Sequence, residues 1–236
     1  PRSTRVRSSA ASDVYKRQKV YGSDGCQMTI DAANAVLAEI NALDMFTGVK
    51  HTNFDEAMAS GMISYTPQSV IDAYYQDVLK QSLNPELCAK SGLKIVYTPL
   101  NGTGNKPVRH ILSAIGIKDV TVVPEQENPD GNFTTCPYPN PEIREALECG
   151  LKLCREVKPD LLLATDPDAD RVGMACKDDK GDWVLINGNQ TCLIFLYYII
   201  KNRIAMGKMQ PNDFIVKTIV TTELIKAVAD KNKIEM

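Results

Sequence analysis

The chain has 236 residues, 44% hydrophobic and 24% charged, a composition that can bury a core in one large or two modest domains. Its 27 basic and 29 acidic residues leave a formal net charge of −2, which excludes global steering toward nucleic acid or an anionic membrane, so any phosphate binding must be local. The seven cysteines (Cys26, Cys88, Cys136, Cys149, Cys154, Cys176 and Cys192) are odd in number and include no C-x-x-C pair, which argues against a zinc site and a disulfide framework and fits a reduced cytoplasm.

Residues 1–18 are rich in Arg and Ser and have no apolar period, so they are not expected to pack; composition alone allows a transit peptide or a translated cloning scar. From Thr29, a plain N-cap residue, apolar positions Ile30, Ala33, Val36, Leu37, Ile40 and Leu43 follow helical spacing. A second helix is expected from Val70 to Leu83, ended by Asn84-Pro85.

From Lys94 strands and helices alternate: Lys94 to Thr98 as strand, Pro107 to Ile115 as helix closed by Gly116, Val120 to Val123 as strand, Pro141 to about Val157 as helix, Leu161 to Ala164 as strand. This alternation implies right-handed crossovers and an α/β fold with mainly parallel sheets and helices on both faces. Val172 to Cys176 and Trp183 to Ile186 then read as a hairpin. The apolar run Cys192 to Ile200 is too short to span a bilayer and reads as a buried helix, with Tyr197 and Tyr198, like Tyr74 and Tyr75, assigned to core. Phe214 to Val220 reads as a strand and Thr222 to about Lys231 as a helix, the opening of a second α/β unit.

The stretch with the most chemistry is Leu161-Leu-Leu-Ala-Thr-Asp-Pro-Asp-Ala-Asp-Arg171. An uncharged run that suits a strand covered on both faces ends in Asp166, Asp168 and Asp170, and ligands collect beyond the carboxyl ends of such strands. Period-two spacing lets the three carboxylates face one side only in extended backbone, which Pro167 helps to impose. Carboxylates brought together repel one another unless a cation or several donors intervene, and hard oxygen ligands suit Mg²⁺ or Ca²⁺. The bland alternative is a solvated acidic turn. A calcium loop of the D-x-D-x-D-G type fails, since its glycine would fall at Arg171 and its twelfth-position glutamate at Lys177. A haloacid-dehalogenase-like phosphatase shares the strand followed by D-x-D, matched by Asp166 and Asp168, but Asp170 stands where that family has Thr or Val.

Pro99-Leu-Asn-Gly-Thr-Gly-Asn105 lies between a strand and a helix, where the glycines serve either a tight turn or close approach to an anion. His110 reads as a surface or packing residue rather than a base, and His51 has no evident partner.

Taken together, Asp24-Gly-Cys-Gln27, Pro99-Leu-Asn-Gly-Thr-Gly104, Pro139-Asn-Pro-Glu142, Thr165-Asp-Pro-Asp-Ala-Asp-Arg171 and Lys217-Thr-Ile-Val-Thr-Thr222 resemble the phosphoglucomutase/phosphomannomutase (α-D-phosphohexomutase) family. Order and spacing match from about Lys19 onward. The resemblance implies a fragment of a four-domain architecture: residues 19–68 as the C-terminal part of domain I, 69–184 as domain II with the metal-binding loop, and 185–236 as the start of domain III. It further implies Mg²⁺ held by Asp166, Asp168 and Asp170, with Arg171 supporting the phosphate of a catalytic phosphoserine. The activity implied is interconversion of sugar 1-phosphates and sugar 6-phosphates through that phosphoserine and a bisphosphate intermediate. The partner expected is a small sugar phosphate, in the cytoplasm, with no nucleic acid and no membrane.

One departure stands out. The family's serine loop, T-A-S-H-N-P, should precede Lys19, where the chain instead reads Ser8-Ser-Ala-Ala-Ser-Asp-Val-Tyr-Lys-Arg-Gln18. The expectation is therefore a non-native tail over residues 1–18 and a polypeptide that does not turn over. Substrate choice among glucose, mannose and pentose phosphates stays open, with Lys19 to Gln27 leaning toward phosphoglucomutases that also handle pentose phosphates or make the bisphosphate activator.

Overall fold

Why the sheet forms where it does follows from its first interior strand. In the computed structural model, which describes residues 22–26, 28–44, 46–48 and 50–236, Lys94–Thr98 (β1) is a five-residue apolar strand whose last four residues are buried. The expectations for residues 1–18 lie outside the described residues.

The described residues divide into two units, one within residues 22–74 and one of residues 75–236. The first unit holds Ile30–Ala42 (α1), Phe54–Ala59 (α2) and most of Gln68–Leu79 (α3). The predicted cap of α1 is present: Thr29 Oγ1 accepts from the Ala32 N–H at 3.4 Å. Asn53 caps α2 by accepting from Asp55 and Glu56. The apolar stripe of α1 is exposed along its length, and Ala57 is the buried residue of α2. Helix α3 begins two residues earlier and ends four earlier than the sequence suggests, its last predicted turn loosening before Pro85–Ser91 (α4).

In the second unit, β1, Asp119–Val122 (β2), Leu161–Thr165 (β3), Val172–Lys177 (β4) and Trp183–Ile186 (β5) form one sheet in the order β2-β1-β3-β4-β5. The pairs β1–β2 and β1–β3 are parallel, while β3–β4 and β4–β5 are antiparallel, so four of the five strands run in one direction. The helices are Asn105–Ala114 (α5) between β1 and β2, Pro124–Glu127 (α6), Arg144–Val157 (α7) before β3, Gly188–Ala205 (α8) and Leu224–Asn232 (α9).

The core lies between the sheet and α7, where Leu147, Leu151 and Cys154 pack with Val96, Val123, Leu162, Ala164 and Ala175. Helix α7 approaches closely because position 150 is glycine; a Cβ there would stand 2.9 Å from Leu162 Cδ1. On the opposite face of β1, Ile95 and Tyr97 are buried as well, which accounts for its uninterrupted apolar sequence. Helix α7 starts at Arg144 rather than Pro141 because Asn140 diverts the chain: its Oδ1 accepts from the Glu142 N–H and its carbonyl from the Ile143 N–H.

Two expectations are overturned. Phe214 to Val220 is not a strand: Phe214 makes an isolated bridge with Glu235, and Val216, Ile219 and Val220 are exposed. A strand needs a neighbour for its backbone groups, and none flanks this segment beyond that bridge among the described residues. Helix α8 forms where expected, with an Asn187–Gln190 capping box, but only Thr191 and Ile200 are buried. Tyr197 and Tyr198 are 58% and 40% exposed and Tyr74 is 61% exposed, so none of the three is core. An apolar run of consecutive residues needs cover on every side, and α9 packs along only part of α8. Among the described residues no helix is long and apolar enough to cross a membrane.

Candidate metal centre

The parallel pair β1–β3 places two loops side by side at the carboxyl ends of its strands: Pro99 to Gly104 after β1 and Asp166 to Arg171 after β3. The second is a closed turn. The Ala169 N–H donates to the Asp166 carbonyl at 2.9 Å, with Ala169 at φ 57°, and the Arg171 N–H donates to Asp166 Oδ1 at 2.9 Å. Arg171 Nε donates to Asp166 Oδ2 at 2.8 Å and lies 3.9 Å from Asp170 Oδ1. Asp166 is fully buried, Asp168 half-buried and Asp170 exposed.

Within this turn Asp166, Asp168 and Asp170 each offer a carboxylate oxygen, and these three oxygens lie within 4.8 Å of one another. Burial pushes the Asp166 carboxyl above the usual carboxylate range, against the lowering effect of the Arg171 N–H and guanidinium; its hydrogen bond with Asp168 pushes it further the same way. The donor set suits a hard divalent cation. Both Asp166 oxygens accept from Arg171, yet an ionised carboxylate has about four acceptor directions, so those bonds leave room for coordination.

The glycine loop supports the aspartate turn from beneath. Thr103 donates to the Pro167 carbonyl twice, through its N–H at 2.8 Å and its hydroxyl at 3.1 Å. A Cβ on Gly102 would fall 2.3 Å from Pro167 Cα, and one on Gly104 2.6 Å from Thr165 Oγ1 and 2.7 Å from the Tyr97 hydroxyl. Tyr97 and Thr165 are themselves hydrogen bonded at 2.8 Å. Gly102 is therefore required by the approach of the other loop, and Gly104 by the Thr165 and Tyr97 side chains packed beside it. Leu100 and Asn101 take positive φ of 47° and 60°, held by the Thr98 hydroxyl, which accepts from the Leu100 N–H at 3.1 Å and donates to Gln126 at 2.7 Å.

The Pro139 to Glu142 motif lies against β4 and the start of α8, its Pro141 carbonyl against Gly173 and its Glu142 carboxylate against Gly188. His110 stacks on Tyr75 with ring centroids 4.1 Å apart, a packing role, and His51 is exposed. The support given by Thr103, Gly102, Gly104, Thr165 and Tyr97 is absent from the sequence reading. Its one sequence signal was two glycines following a strand that turns out to be β3's neighbour.

A mainly parallel sheet whose strand ends carry a buried-to-exposed trio of carboxylates defines an α/β domain with a candidate ligand site beyond the carboxyl ends of its strands. Residues 72–181 match the family model described as phosphoglucomutase/phosphomannomutase, alpha/beta/alpha domain II. The chain is 34% identical over 229 residues to a phosphoribomutase of Saccharomyces cerevisiae, spanning 90% of this chain and 36% of that protein. It is 32% identical over 227 residues to a phosphoglucomutase of Staphylococcus aureus, spanning 94% and 38%. A crystal structure of a putative phosphomannomutase from Thermus thermophilus shares the fold with a TM-score of 0.52 at 23% identity, over 69% of this chain and 34% of that one. Residues 72–181 carry a domain of the phosphoglucomutase/phosphomannomutase family, and the chain spans less than two-fifths of the length of the curated relatives it matches.

Proposed function

We propose that the parent activity is that of a phosphosugar mutase: interconversion of a sugar 1-phosphate and a sugar 6-phosphate through an enzyme phosphoserine and a bisphosphate intermediate, in the cytoplasm. The observation that carries the reading is the convergence of Asp166, Asp168 and Asp170 within 4.8 Å on a turn locked by Arg171. The names of the relatives support the same activity.

In this reading residues 19–68 are the C-terminal part of domain I, 69–184 are domain II, and 185–236 open domain III. Asp166, Asp168 and Asp170 are the Mg²⁺ ligands. Bound Mg²⁺ would neutralise charge on the transferring phosphoryl group. Arg171 fixes the Asp166 carboxylate in place, and its half-buried guanidinium stands beside the site where a phosphate is held. The three carboxylates supply half of an octahedral shell, so Mg²⁺ alone should bind weakly and more tightly when a phosphate ester completes the site.

Two other readings fare less well. A D-x-D phosphatase needs Asp166 as an accessible nucleophile, but this carboxylate is fully buried with both oxygens bonded to Arg171. A helix–loop–helix calcium module does not fit a turn entered from β3 and left by β4. The test is calorimetric titration of Mg²⁺ and Ca²⁺ into wild type and Asp168→Asn, with and without glucose 1-phosphate. Mg²⁺ affinity raised by the phosphate ester and lost in the variant is expected; Ca²⁺ binding far tighter than Mg²⁺ without any phosphosugar would sink the reading, as would beryllofluoride labelling of Asp166.

The polypeptide of residues 1–236 contains no T-A-S-H-N-P sequence. Mixed with glucose 1-phosphate, a glucose 1,6-bisphosphate primer and Mg²⁺, it is expected to yield no glucose 6-phosphate above background; appreciable product would show that another residue accepts the phosphoryl group.

A further inference from the structure

A second site lies away from the aspartate turn. A cavity of about 570 Å³ runs between α7 and the β4–β5 hairpin, in the size range of small-molecule sites. The register pairs Leu161 with Cys176, so the hairpin residues Lys177 and Trp183 lie beside the start of β3, whereas the aspartates follow its end. Leu161 and Thr165 are four residues apart along β3, so at about 3.3 Å per residue the hairpin end of the cavity is about 13 Å from the start of the aspartate turn.

The cavity wall is strongly basic although the chain as a whole is slightly acidic. Arg144, Arg155 and Lys158 from α7 and Lys177 from β4 face Asp182 as the single carboxylate among the lining residues. Arg144 has a partner in Glu148 at 3.4 Å, while Arg155, Lys158 and Lys177 make no ion pair with a described residue. Cations at the end of α7 complement its carbonyl terminus, which accounts for Arg155 and Lys158. That explanation does not extend to Lys177, contributed by a strand, or to Arg144 at the other end of the helix. Lys158 also occupies the left-handed C-cap position at φ 53°, where glycine is the usual residue. Trp183 closes the cavity, with Lys177 Nζ 5.6 Å from its ring centroid.

We propose that this groove binds a small, multiply charged phosphate ester independently of the aspartate turn. Two guanidinium groups offer the forked donors that match phosphate oxygens, and two ammonium groups add charge without fixed direction. A bound anion would draw Lys177 from the ring of Trp183, the chain's only tryptophan, so intrinsic fluorescence reports on the site directly.

The test titrates the full chain, in EDTA, with adenosine triphosphate, fructose 1,6-bisphosphate and inorganic phosphate, following fluorescence and, in parallel, equilibrium dialysis. Saturable binding of the triphosphate or bisphosphate, weaker binding of inorganic phosphate, and weakening by added salt are expected. Arg155→Ala/Lys158→Ala, in which both side chains are exposed and the core is untouched, should bind at least about tenfold more weakly for the loss of two charge-assisted contacts, with an unchanged urea midpoint. Asp168→Asn should bind as wild type does. No dialysis-detectable binding, equal binding by the double variant, or loss confined to Asp168→Asn would each overturn the proposal; the last would assign the anion to the aspartate turn instead.

Discussion

Asp166 and Arg171 are joined twice, through the Arg171 backbone N–H to Oδ1 at 2.9 Å and through Nε to Oδ2 at 2.8 Å, so one residue both closes the turn and holds its buried carboxylate. Removing the guanidinium takes one charged donor from a fully buried carboxylate. Arg171→Met, which keeps an apolar stem, is expected to lose about 1–3 kcal/mol in urea unfolding and to weaken Mg²⁺ binding. Arg171→Lys should recover only part of either, because an ammonium lacks the directed Nε donor. A urea midpoint equal to wild type for Arg171→Met would show that the pair holds nothing together.

The glycine loop gives a contrast that needs no ligand. A Cβ at position 102 would meet Pro167 backbone at 2.3 Å, and backbone cannot swing aside, whereas a Cβ at Gly131 would meet nothing within 4 Å. Gly102→Ala should therefore cost about 1–3 kcal/mol through forced displacement of the aspartate turn. Gly131→Ala should fall within about 0.5 kcal/mol of wild type. Equal midpoints for the two variants would mean that the loops are not in contact.

Particular residues show how far the sequence could be read. Lys94–Thr98 was legible to the residue because a strand buried on both faces announces itself by an unbroken apolar run. Thr29 and the hairpin of Val172–Lys177 with Trp183–Ile186 were legible because caps and turns are local chemistry. The same apolar signal misled at Tyr197, Tyr198 and Phe214 to Val220, where whether a residue is buried depends on what lies opposite it. At the candidate site, the period-two spacing of the aspartates was enough to suggest their convergence. The twin hydrogen bonds of Arg171 and the seat that Gly102 makes for Pro167 depend on which strands are neighbours, and that order is not written in any one stretch.

Asp168→Asn separates binding from stability. Three carboxylates within 4.8 Å repel one another in the absence of a cation, and Asp168 is half-buried rather than fully enclosed. Replacing it with a neutral amide removes one like charge while keeping the side-chain shape. Without divalent metal the variant should be as stable as wild type or up to about 1 kcal/mol more stable, and the stabilisation that saturating Mg²⁺ gives wild type should shrink. Thermal melts of both proteins in EDTA and in Mg²⁺ measure the two effects; a variant less stable in EDTA yet stabilised by Mg²⁺ as fully as wild type would assign Asp168 to structure.

Alkaline pH tests the core. Burial raises the Cys136 and Cys154 thiols from the ordinary value of 9.0 to about 11, and the Tyr97 phenol from 10.0 to about 12. Between pH 9.0 and about 11 the unfolded chain has released these thiol protons while the folded chain retains them. The unfolded state then binds fewer protons, so stability falls as pH rises; the contribution is complete below pH 9.0 and lost on passing through about 11. Tyr97 extends the decline toward about 12. Because lysines titrate in the same range, the informative quantity is a difference: Cys136→Ala/Cys154→Ala, though less stable overall from the lost packing, should show a shallower fall in urea midpoint from pH 9 to 11 than wild type. Slopes that coincide would mean that the two thiols ionise as readily folded as unfolded, which their burial in the sheet–helix core and beside Leu100 does not allow.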